Sequence, residues 1–249
     1  MRYLKSILSV LLVCLFCYAE SAEFHAILLI DSEAENIETA MVKNHSRWRR
    51  QLDKISQYTG MEVHEHAFVG KDLRTSDVFP FIQSLSTQPD DIILFYFCGH
   101  GYRTRHKDNQ WPYLCWAHEN IAVDFKLMTD LLMKKQSRLL FAMAECCNNF
   151  IESQEDVVVE EYVPLHVDII RSNYEKLFLE TTGTIIASSS LPGEFSWAWV
   201  HRGSCFTLAF LDAIDQEVRQ VGGTEWAIIF EVAGKKVGDL QSPQYVIME

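Results

Sequence analysis

The sequence has little positive charge. Its 249 residues carry 22 Lys and Arg against 34 Asp and Glu, a formal net charge of −12. Binding nucleic acid requires clustered basic side chains to displace phosphate counterions, so the composition argues against that class of partner. The one compact basic cluster, Arg47-Trp48-Arg49-Arg50, reads as the solvated face of a helix. Beyond the first 22 residues, CxxC pairs and His/Cys ligand spacings are also missing, which leaves no signature of a zinc site. No internal repeat or low-complexity region occurs.

A long apolar run is absent too. The stretch from Ile7 to Cys17 is too short to span a bilayer comfortably. It follows Arg2 and Lys5 and precedes small residues at Ala19 and Ala22. Residues 1–22 are therefore expected to be a cleaved export signal, cut after Ala19 or Ala22, with no stable membrane anchor and a secreted or periplasmic product. Removing them takes Cys14 and Cys17 away and leaves Cys98, Cys115, Cys146, Cys147 and Cys205. An odd number at irregular spacing, in a chain long enough to bury its own core, does not suit a disulfide framework. Residues 23–249 have the length of one globular domain.

What the chain does have is an alternation of strand-like and helix-like segments. Phe24–Ile30, Met61–Val69, Ile92–Phe97, Arg138–Ala144, Thr184–Ser188 and Ser242–Met248 read as strands, and Trp111–Trp116 as a short excursion. Ile37–Tyr58 (closed by Gly60), a segment capped by Ser76 and running to Leu85, Phe125–Lys135 and Cys205–Val218 read as helices. Alternating elements with continuously apolar strands predict an α/β fold, a mostly parallel sheet of about six strands with helices on both faces. Such sheets bind ligands beyond the carboxyl ends of their strands.

Two of those strands end in chemistry. Ile92–Phe97 runs into Gly99-His100-Gly101, and Arg138–Ala144 runs into Glu145-Cys146-Cys147. The histidine and the second cysteine are 47 residues apart, about one strand–helix–strand crossover plus an excursion, so the two ends can be neighbours. A thiol with an adjacent imidazole is a nucleophile with its base. Gly101 lets a substrate approach the backbone, and its N–H with that of Cys147 are natural donors to an oxyanion. Alone, either motif is more simply explained by packing or a loop hydrogen bond; together they point to catalysis.

These residues resemble the caspase-like cysteine peptidases, the superfamily of caspases and metacaspases. Gly99-His100-Gly101 is similar to the family's histidine strand end. Ala144-Glu-Cys-Cys-Asn-Asn149 is similar to the nucleophile segment, nearest to its metacaspase form. Ala187-Ser-Ser-Ser190, Phe195-Ser-Trp197 and Gly203-Ser-Cys-Phe-Thr207 resemble the substrate loop and the helix behind it. The resemblance implies a three-layer caspase-like fold and a Cys-His endopeptidase with protein or peptide substrates. Cys147 would be the nucleophile and His100 the acid/base. The peptide would run near Ser188, Ser196 and Trp197.

The departures concern specificity and activity. Caspases that cut after aspartate hold it with arginines and a glutamine. Here Glu145 stands two before the nucleophile, Ala198 follows Ser196-Trp197, and Asp31, Glu33 and Glu35 follow the first strand. Carboxylates repel a substrate aspartate and attract Lys or Arg, so cleavage after basic residues is expected, with Glu145 leading and Asp31 assisting. Asp31 and Glu33 can equally cap the following helix. Asn148-Asn149-Phe150 replaces the metacaspase His-Ser-Gly, and loss of that glycine supports a rival reading: a catalytically silent peptide-binding or regulatory module. A redox role for the vicinal Cys146-Cys147 pair lacks the usual CxxC spacing. No cofactor is expected. Some metacaspases need calcium, but the acidic segment Glu152–Glu161 has no calcium-loop spacing and reads more simply as a solvated loop.

Overall fold

Two apolar runs, Ile92–Cys98 and Leu139–Glu145, are buried at every residue, which requires a sheet covered on both faces. The computed structural model describes residues 22–150 and 167–249. The expected export signal, save its last residue, and the acidic segment Glu152–Glu161 lie outside the described residues.

In chain order the strands are β1 (Glu23–Ile30), β2 (Glu62–Val69), β3 (Ile92–Cys98), β4 (Gly101–Tyr102), β5 (Tyr113–Trp116), β6 (Ile121–Asp124), β7 (Leu139–Glu145), β8 (Gly183–Ser188), β9 (Ala198–Trp199), β10 (Gly203–Ser204) and β11 (Gln244–Met248). The helices are α1 (Glu38–Thr59), α2 (Thr75–Ser84), α3 (Phe125–Leu132), α4 (Val167–Glu175), α5 (Cys205–Glu217) and α6 (Trp226–Val237). The central sheet has six strands in the order β2-β1-β3-β7-β8-β11. All its neighbours are parallel except β11, which pairs antiparallel with β8. This is the mostly parallel α/β sheet that the sequence predicts.

Side-chain alternation divides the core in two. Ile92, Leu94, Tyr96 and Cys98 join Trp48 of α1, Tyr174 of α4, Phe210 of α5 and Trp226 of α6 on one face. Ile93, Phe95 and Phe97 join Val78 and Ile82 of α2, Phe125 and Met128 of α3, and Trp116 of the small β4-β5-β6 sheet on the other. Cys98 and Cys205 are both buried, the core role their apolar surroundings suggest. Gly60 closes α1 at φ 74°, a left-handed conformation that glycine adopts without strain.

Several elements differ from the sequence reading. Ser76 does not cap α2: the helix begins at Thr75, and Glu119 from across the chain accepts from the Thr75 N–H at 2.6 Å. Local pattern carries no sign of a cap supplied 44 residues away. The expected excursion strand is shorter, Tyr113–Trp116, and belongs to a separate three-stranded sheet. Helix α6 was not foreseen. Its apolar residues Trp226, Ile229, Phe230, Ala233 and Val237 give it a buried face, but its N-cap, Glu225, makes no side-chain capping bond.

Candidate active site

Strands β3 and β7 lie side by side in register, with Cys98 opposite Glu145. Their carboxyl ends therefore deliver His100 and Cys147 to one place, as the spacing suggests. The Gly99 N–H donates to the Glu145 carbonyl at 3.2 Å and continues the pairing past the last strand residue. His100 and Cys147 line a common cavity of about 250 Å³, with Glu145, Cys146, Ser196 and Trp197 also in its wall.

His100 is held by the backbone. Its Nε2 lies 2.8 Å from the Glu35 carbonyl oxygen, in the loop between β1 and α1. A carbonyl only accepts, so Nε2 carries the proton and donates. Nδ1 then holds the lone pair and has no hydrogen-bond partner among the described residues. An imidazole oriented in this way can accept a proton from the cavity.

The thiol of Cys147 sits against the loop that carries Ser196. The Ser196 N–H points at Sγ from 3.4 Å, and Sγ is 3.5 Å from the Ser196 carbonyl. Burial raises this thiol above its ordinary value of 9.0; the Ser196 N–H pulls it back and the Glu145 charge adds to the rise. Cys146 is fully buried and pushed up more strongly, again by burial first. Cys115 nearby is raised to about 11 by burial. A raised thiol is protonated at neutral pH. Alkylation of Cys147 by iodoacetamide in the free protein should therefore speed up with pH through an inflection above 9.0, read by mass spectrometry of the Cys147 peptide. A plateau already reached by pH 7 would show that the thiol is ionised at rest.

Gly101 fits here because nothing larger does. A Cβ at this position would lie 2.5 Å from Cys146 Sγ and 2.7 Å from the Cys147 carbonyl oxygen. The Cys115 N–H donates to the His100 carbonyl at 3.0 Å, which makes Gly101 and Leu114 a non-hydrogen-bonded pair of the antiparallel ladder. The Gly101 N–H is thus left out of the ladder.

Glu145 lines the cavity and is 1% exposed. Its Oε1 accepts from the Ser196 hydroxyl at 2.6 Å, and its Oε2 accepts from the Thr207 N–H and hydroxyl at 2.6 and 2.7 Å. Burial raises its pKa, and these donors oppose the rise. The Ser189 hydroxyl also opposes the rise. Asp31 and Ser188 are not in the cavity wall. Asp31 is buried behind Gly99 and accepts from the Ala117 N–H at 3.0 Å, while Ser188 donates within its own turn to the Ser190 carbonyl at 3.3 Å. Asp31 does not cap α1 either; the N-cap is Ile37, without a side-chain bond.

Asn148 is the residue whose role the sequence concealed. Its Nδ2 donates to the Gln110 carbonyl at 2.8 Å, its N–H donates to the Glu194 carbonyl, and its own carbonyl accepts from Gly193. Arg103 braces the same loop through the carbonyls of Lys107 and Asn109. Among the described residues, positive φ outside glycine occurs only at Asn36 and Asn120. The Asn148-Asn149-Phe150 backbone therefore has no need of the missing glycine. Gln241 was also missed: it accepts from the Trp197 N–H and donates to the Ser189 carbonyl, both at 2.7 Å. These contacts join segments far apart in sequence, and no local pattern marks them. Among the described residues, no group of three or more His, Cys, Asp or Glu is placed to hold a metal ion, and no helix is long and apolar enough to cross a membrane.

A thiol and an oriented imidazole at adjacent carboxyl ends of a parallel sheet define a candidate cysteine-hydrolase centre. The profile of the caspase domain matches residues 48–246, and the chain belongs to that family of cysteine peptidases. The crystal structure of caspase-1 from Spodoptera frugiperda is similar, with a TM-score of 0.57 at 15% identity over 92% of this chain and 89% of that one. At that identity the likeness concerns the fold. No curated protein matches the sequence.

Proposed function

We propose that the protein is a cysteine endopeptidase that cuts after Arg or Lys. The observation that carries the reading is the shared cavity: His100, Cys147 and Glu145 line it, and among the described residues no Arg or Lys does. A substrate aspartate would meet Glu145 without a cationic partner, whereas a guanidinium or ammonium would find a carboxylate of opposite charge.

The chemistry follows from the protonation states. Because burial keeps the Cys147 thiol neutral, His100 Nδ1 takes its proton as sulfur bonds to the scissile carbonyl carbon. The N–H groups of Gly101 and Cys147 receive the oxyanion. The C–N bond then breaks, the imidazolium returns the proton to the leaving amine, and water releases the acyl group by the reverse sequence. The peptide lies along Ser196 and Trp197. Export of the mature chain, directed by residues 1–22, belongs to the same proposal.

Fluorogenic peptides ending in Arg, Lys or Asp test it, each with calcium and with chelator. Arg and Lys peptides should give kcat/KM at least about 100-fold above the Asp peptide, from a charge reversal at one desolvated contact. Preferential cleavage of the Asp peptide would overturn the specificity. If no peptide is cut under either condition, the silent-module reading gains.

A further inference from the structure

A second cavity, of about 260 Å³, shares a wall with the first. The β9–β10 hairpin is that wall. Ala198 lines the cavity at Cys147 and Trp199 lines the second; Ser204 and Cys205 divide in the same way. Neighbouring residues of a strand point to opposite faces, so the two cavities lie on opposite sides of the hairpin.

The second cavity is basic, in a chain of net charge −12. Arg47, Arg50 and Lys54 of α1, Arg202 of the hairpin and Lys236 of α6 all line it. The basic cluster that reads as a solvated helix face is only partly that: Arg49 pairs with Glu65 outside, whereas Arg47 and Arg50 turn to the cavity. Two carboxylates also line it. Lys236 holds Asp212 at 2.5 Å and Lys54 holds Asp215 at 2.6 Å. Arg50 has no ion-pair or hydrogen-bond partner among the described residues. Trp199 adds an aromatic wall, and its buried Nε1 has no acceptor among the described residues.

We propose that this cavity binds a small, multiply charged anion of phosphate or polycarboxylate type, and that its occupancy is transmitted to Cys147 through the hairpin. Guanidinium groups match both anions with paired N–H donors, and a concave basic site concentrates them. The volume suits a small molecule and not a folded partner. The transmission path is short. Asn44, three residues before Arg47, donates to Ser204 Oγ at 2.7 Å and accepts from its N–H at 3.0 Å. The Cys205 N–H donates to the Trp197 carbonyl at 2.8 Å, and Trp197 lines the catalytic cavity.

Calorimetric titration of the full chain with pyrophosphate, and separately with citrate, tests the site at low ionic strength without depending on catalysis. One site with Kd below about 1 mM is expected, weakened at least tenfold in Arg50→Glu and in Arg50→Ala, with circular dichroism checking the fold of each variant. The tighter of the two probes identifies phosphate or carboxylate as the preferred group. The rate of Cys147 alkylation by iodoacetamide should change at least threefold on saturation in the parent protein and stay constant in both variants. Absence of saturable binding, or equal binding by the variants, overturns the site. Saturable binding with an unchanged alkylation rate overturns the transmission.

Discussion

Replacing Cys147 with alanine is expected to lower peptide hydrolysis by a factor on the order of 10⁴ or more, the scale on which removal of a nucleophile acts. Cys146→Ala should cost less than about tenfold. The two thiols are adjacent in sequence but occupy different surroundings. Cys146 is buried, its Sγ lies beside Gly101, and its carbonyl accepts from the hydroxyls of Ser189 and Ser190. Cys147 is only partly buried and faces the Ser196 backbone across the cavity. Burial disfavours both thiolates, the more so for Cys146, so Cys146 is the poorer nucleophile. Measuring kcat/KM for both variants on the best Arg or Lys peptide, with melting temperature as a control, settles the register. Equal losses, or a larger loss in Cys146→Ala, would move the nucleophile by one residue.

Gly101→Ala is the second large effect. A methyl group there would meet Cys146 Sγ at 2.5 Å, the Cys147 carbonyl oxygen at 2.7 Å and Cys146 Cβ at 2.8 Å. Two of these are rigid parts of the nucleophile segment, so the histidine and cysteine segments must move apart. Overpacking of this kind costs about 1–3 kcal/mol of stability. Displacing reacting groups by about 1 Å costs on the order of 10²-fold in rate. The expected result is a folded variant with a lower melting temperature and kcat reduced by about that factor. A variant with unchanged kcat would show that the approach of β4 to the cysteine loop does not set the geometry.

The main strands, the layering and the placement of His100 and Cys147 at neighbouring strand ends were legible because burial on both faces writes continuous apolar runs. A strand in such a sheet must stop where polar chemistry begins. Gly99-His100-Gly101 and Glu145-Cys146-Cys147 are those stopping points. Glu145 was legible as a carboxylate beside the two cysteines, but not as a group already accepting from Ser196 and Thr207. Asp31 and Ser188 looked equally eligible for substrate contact, yet one is buried behind Gly99 and the other in its own turn. Residue type cannot distinguish a carboxylate that faces a cavity from one that ties down a loop.

By itself the sequence determined the α/β class and the two strand ends that carry His100 and Cys147, because these depend on periodicity and on short contiguous motifs. Only the tertiary structure decided which nitrogen of His100 bonds the Glu35 carbonyl, how Asn148 locks the cysteine loop, and that Arg47 and Arg50 line a cavity behind the hairpin. The reason is physical. Each of those outcomes is a hydrogen bond or a shared wall between segments tens to more than a hundred residues apart, and such contacts exist only once the sheet has brought the strand ends together.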